Sequence, residues 1–153
     1  MYQFLTVMEA PADFLGWVKR NPSYDLFEGW DKCPRGDWLL WLHHALKPTH
    51  RALHTKARAV CANSLRHLMD PKSILAVDMA MAYATEAELK ALRKPTAAVL
   101  NAIRNDQPRR VAAWAAWSLT IPYEPSCVEA HLQGGMRPIE TNMADAIREV
   151  LSL

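Results

Sequence analysis

Glycine is scarce in this chain, with 5 residues in 153. Valine, isoleucine and threonine are comparatively few beside abundant alanine and leucine. That balance favours helices, because Ala and Leu keep their rotamer freedom in a helix while β-branched residues lose theirs. No apolar run approaches the roughly 20 residues that span a bilayer, so no membrane partner is expected. Met1 to Ala10 holds Glu9 and no basic residue ahead of its short apolar stretch, unlike a secretory signal, and a cytoplasmic location is expected. The 3 cysteines, Cys33, Cys61 and Cys127, lie far apart without metal or redox spacing and read as reduced thiols. Neither sign of charge dominates, since 18 Lys and Arg face 16 Asp and Glu. Catalytic fingerprints are missing too. There is no Gly-x-Ser-x-Gly elbow, no cysteine beside a histidine in a nucleophile setting, and no phosphate-binding glycine loop. Gly134-Gly135 is only a pair. Neither catalytic residues nor a cofactor are expected, and the chain does not read as an enzyme.

What is present is a large apolar share, 50% of the residues, and 10 prolines that punctuate it. Several prolines sit where helices begin rather than end. Pro11 opens a helix over Ala12 to Arg20, and Asn21-Pro22-Ser23 closes it. A short turn follows over Tyr24 to Trp30. Asp37 reads as the N-cap of Trp38 to Leu46. Pro48 opens the longest predicted helix, Thr49 to Met69. Asp70-Pro71 starts another, running to about Ala84. Thr85 and Glu88 have capping-box spacing, so a helix starts at Glu86 and runs toward Lys94. Pro95 kinks that helix or begins the next, which ends near Asn105, and Pro108 opens Arg109 to Leu119. Ile121 to Pro125 is a loop, Ser126 and Glu129 form a second possible capping box, and a last helix covers Thr141 to Leu151. The expectation is one all-α domain over residues 1–153, a bundle or small array of seven to nine helices with short connections.

The strongest charge pattern lies between Lys47 and Lys72. Six basic residues there (Lys47, Arg51, Lys56, Arg58, Arg66 and Lys72) face Asp70 alone, a local net of +5 in a chain of net +2. On one continuous helix, Lys47, Arg51, His54, Arg58 and Arg66 would share an arc, with Leu53, Ala57 and Val60 opposite. Such an arc would suit an acidic protein, a nucleic acid or a nucleotide. His50 and His54, at i and i+4, follow His43 and His44, but zinc needs three or four converging ligands and Arg51 would oppose a cation. No metal is expected. Trp38 with Trp41, and Trp114 with Trp117, have the i, i+3 spacing of core aromatics; Trp30 and Trp17 are open to either core or surface.

The segment Trp30-Asp31-Lys32-Cys33-Pro34-Arg35-Gly36-Asp37-Trp38-Leu39-Leu40-Trp41-Leu42 resembles the signature near the start of the Imm5-like family of immunity proteins. These are small, Ala-rich helical proteins of bacteria and phages. Ala84-Thr85-Glu86-Ala87-Glu88-Leu89-Lys90, followed by Ala-rich helices, is similar to the same family's second half, so the resemblance runs over about residues 30–119. Where the family tends toward alanine, this chain carries Pro95 and Pro108. The resemblance implies an all-α protein that acts by binding, with neutralisation of a toxin as its role.

Two functions follow as expectations. The first is an inhibitory binding protein, of toxin-immunity or phage counter-defence type, that masks a partner protein through Trp30, Asp31, Arg51, His54, Arg58 and Arg66. The alternative is nucleic-acid or nucleotide binding through the basic helix 47–72.

Overall fold

A computed structural model describes residues 1–121 and 140–153, with side chains of the second segment described from Met143 onward. Among the described residues the chain is all-α, without strands. The helices are α1 (Tyr2–Val7), α2 (Ala12–Arg20), α3 (Leu26–Lys32), α4 (Gly36–Leu46), α5 (Arg51–Asn63), α6 (Pro71–Met81), α7 (Glu86–Ala91), α8 (Arg93–Ala102), α9 (Gln107–Ser118) and α10 (Glu140–Val150), with a 3₁₀ turn at Arg66–Leu68.

Local chemistry sets most of the starts. The Asp70 carboxylate accepts from the Lys72 and Ser73 amides, and Pro71 fills the first helical position of α6. Asp25 caps α3 in a full capping box with Glu28, and Thr85 does the same for α7 with Glu88. Pro95 sits in the first turn of α8, where its missing N–H costs nothing, and α7 stops short of it at Ala91.

Four expectations change. α1 lies in a stretch where no helix was expected. The predicted helix 49–69 is shorter, because α5 ends at Asn63 and the Ser64 hydroxyl donates to the Cys61 carbonyl (2.7 Å), a local bond that competes with the helical ladder. Asp37 is not a cap: α4 starts at Gly36, and the Asp37 carboxylate accepts from the Arg35 guanidinium instead (Nε to Oδ1, 3.0 Å). The described helices number ten, one above the expected seven to nine, since α1 is added. The loop from Pro122, the Ser126–Glu129 box, Gly134-Gly135 and Cys127 lie outside the described residues.

The core has two parts that share α5 and α9. One gathers Leu5, Phe14, Val18, Trp30, Trp38, Leu39, Leu40 and Leu42 with Ala57, Cys61 and Ala112, and is closed by Met143, Ala144 and Ile147 of α10. The other gathers Ala59, Ala62, Val77, Ala80, Leu89, Ala116 and Leu119. Alanine dominates α5 and α9 because each has neighbours on both sides, and small side chains let helix axes approach. Cys33 and Cys61 are free and buried, and burial pushes their thiols up to about 11 and about 12. Trp38 lies in the core, as its spacing with Trp41 leads one to expect: its indole is buried, stacks on Phe14 (5.1 Å) and lies under the Arg35 guanidinium (4.4 Å). Trp41 and Trp17 are half-buried against the same cluster.

Candidate functional site

The first turns of α5, the outer face of α7, the start of α8 and the end of α9 converge on a cleft of about 430 Å³. Arg51, Thr55, Glu86, Lys90, Arg93 and Thr120 supply its polar lining. Leu89 and Leu119, both buried, form its apolar floor.

The capping box orients this wall. Thr85 Oγ1 accepts from the Glu88 N–H (3.3 Å), and the Glu88 carboxylate accepts from the Thr85 N–H (2.7 Å). The Thr85 hydroxyl, which also donates to that carboxylate (2.7 Å), and then the Thr85 N–H hold the Glu88 carboxyl below its usual value. With the helix start fixed, Glu86 and Lys90 stand at i and i+4 on the outer face while Leu89 turns into the core. At the opposite wall the Thr120 hydroxyl donates to the Trp117 carbonyl (2.7 Å).

The electrostatics are one-sided. Arg51, Lys90 and Arg93 face one carboxylate among the described lining residues, Glu86, which lies 3.5 Å from the Arg51 guanidinium. Both partners of that pair are exposed (64% and 57%), so its contribution is only about 0–1 kcal/mol. The first turn of α5 carries no acidic residue and no side-chain cap, so its free amides and the helix dipole add to the positive field. The Lys90 and Arg93 side chains have no ion-pair or hydrogen-bond partner among the described residues. Two guanidiniums and an ammonium over an apolar floor can hold an anionic group with an apolar neighbour, and arginine does so bidentately.

The sequence-predicted site residues scatter. Arg51 belongs to the cleft. Asp31 is exposed on α3. Arg66 is exposed but paired with Asp78 at 2.5 and 3.0 Å, and that pair holds the Asp78 carboxyl below its usual range. Arg58 is half-buried and donates to the Ser118 carbonyl (2.5 Å), which ties α5 to α9. Two placements are corrected. Trp30 is buried (5% exposed) in the first core cluster, and His54 is fully enclosed (0%). The expected basic arc therefore does not form. α5 is packed on both sides, so periodicity alone put His54 on a solvent face that the neighbouring helices cover. Of the other cations of that run, Lys47 donates to the Ser152 carbonyl (2.9 Å) and Lys56 to the Tyr83 hydroxyl (2.9 Å), while Lys72 is exposed at the start of α6.

In comparisons with known proteins, no family model matches the chain, and neither a curated protein nor a solved structure matches it. The site therefore rests on its own geometry. Sequence reasoning missed Thr55, Glu86, Lys90, Arg93 and Thr120. A signal was present for two of them, since Lys90 and Arg93 stand close together with Lys94 just after a capping box. Among the described residues, no three His, Cys, Asp or Glu side chains converge as metal ligands.

Proposed function

We propose that this chain is a non-enzymatic helical binding protein that masks an acidic surface of a partner protein, through the cleft between Arg51 and Arg93. The observation that carries this reading is the convergence of three cationic side chains on a cleft with an apolar floor. A carboxylate beside an aliphatic side chain satisfies both halves of that lining, and protein surfaces offer this combination routinely. Arginine at the edge of an apolar pocket is a common hot spot of protein recognition. The resemblance of Trp30 to Leu42 to the immunity-protein signature supports the same class, with a toxin or a defence factor as the neutralised partner.

The alternative, nucleic-acid binding through residues 47–72, receives less support. Lys47, Lys56, Arg58 and Arg66 are all held in intramolecular contacts, which leaves no continuous basic strip along α5.

The test is affinity capture from host extract by the tagged wild-type protein and by a Lys90→Glu/Arg93→Glu variant. Neither side chain makes a described polar contact within the fold, so the variant should keep the wild-type melting temperature. The expected result is a captured protein whose affinity falls at least tenfold in the variant, a loss of about 1.4 kcal/mol or more. Equal capture by both proteins contradicts the cleft. Recovery of nucleic acid alone, lost steeply as salt rises, supports the alternative instead.

A further inference from the structure

The corner where α4 meets α5 holds four histidines. His43 and His54 are both buried (1% and 0% exposed), and His43 Nδ1 lies 2.7 Å from His54 Nε2. Their rings meet edge to face at 4.9 Å. His44 stands 5.1 Å from His54, and His50 stands 5.7 Å from His43, measured between ring centres. A single proton on the 43–54 contact satisfies both nitrogens. A proton on each would set two N–H donors against one another at that distance.

The C-terminal end of the chain closes over this corner. Lys47 donates to the Ser152 carbonyl, and the Ser152 backbone also faces His43. α10 packs on both α4 and α5. We propose that the His43–His54 pair is an acid-sensitive latch: the neutral pair holds the α4–α5 corner closed beneath α10, and proton uptake by the pair opens the corner and frees α10.

Charged groups of α4 and α5 oppose protonation of the pair, while the Ser152 backbone favours the charged form of His43. α4 contributes His44 and Lys47, and α5 with its preceding turn contributes His50 and Arg58, while Arg51 acts on His44. α3 presents the Trp30 ring, 6.2 Å from His43. Of the charged residues of α10 from Met143 onward, Arg148 turns to the Trp30 and Cys33 carbonyls, Asp145 pairs with Arg148, and Glu149 is exposed. On α9, the Ser118 carbonyl holds Arg58. Burial, followed by the neighbouring positive charge, therefore holds both imidazoles below the ordinary value of 6.5. The sign follows from linkage. In the unfolded or opened chain these histidines take up protons near pH 6.5, while in the closed state they resist. The closed state is therefore fully favoured above that pH and loses ground as pH falls below it.

Amide hydrogen exchange of the full-length protein between pH 7.5 and 4.5, corrected for intrinsic rates, tests the latch. The opening equilibrium for α10 and the α4–α5 corner should rise about tenfold per pH unit for each proton taken up below pH 6.5, ahead of α6 to α9. His54→Gln should flatten that response, and His67→Gln, which alters an exposed histidine in the 3₁₀ turn, should leave it intact. Should His54→Gln fail to fold, the wild-type pH series and the His67→Gln control decide alone. Protection that does not change with pH, simultaneous opening of all helices, or a response removed by His67→Gln would overturn the proposal.

Discussion

Asp70 shows how much one side chain can determine. Its carboxylate accepts two backbone amides and the Ser73 hydroxyl, which fixes where α6 begins and so where Val77 and Ala80 enter the second core cluster. Asp70→Ala should lower stability by about 1 kcal/mol, read as a shift in the urea midpoint at unchanged slope. An unchanged midpoint would show that packing alone sets the start of α6. This cap, like the Thr85–Glu88 box, was legible in the sequence because both partners lie within three residues of one another. Asp37 was misread for the converse reason. Arg35, which also bonds Asp13 and stacks on Trp38, draws the Asp37 carboxylate away from the helix amides, and its alignment with Asp13 is set by the fold.

At the scale of the helix, two C-termini use a left-handed residue other than glycine. After α1, Glu9 has φ 56°, and the Ala10 amide reaches back to the Leu5 carbonyl (2.9 Å). After α6, Tyr83 has φ 60°, and the Ala84 amide reaches back to Met79 (3.0 Å). Both are Schellman-type closures, where glycine carries no Cβ penalty. Tyr83 has compensating contacts, since the Lys56 ammonium sits 4.1 Å from its ring centre and donates to its hydroxyl. Glu9 shows no such contact among the described residues. Glu9→Gly should therefore stabilise the protein by about 0.5–1 kcal/mol, visible as a higher melting temperature. A lower melting temperature would mean that the Glu9 side chain supports the fold. The absence of glycine at these ends also explains why α1 was not foreseen: its stop signal is written in backbone geometry, without the residue that normally announces it.

For the whole molecule, the all-α class was legible because it follows from composition and proline placement, which are local. The site was not. Arg51 was identified from a charge run, but Lys90, Arg93 and Thr120 join it only because α5, α7, α8 and the end of α9 come together in space. His54 and Trp30 looked available because periodicity marks faces without saying which of them a neighbour covers. The central claim is that the cleft, among all exposed surfaces, meets a protein partner. In-cell photo-crosslinking tests it most directly, with a benzophenone side chain placed at Ala87 in the cleft wall and, as a control, at exposed Leu75 on α6. The account predicts a discrete protein adduct from position 87 that is missing from position 75 and lost when Lys90 and Arg93 are reversed to glutamate. No protein adduct at position 87, or the same adduct from both positions, would contradict it.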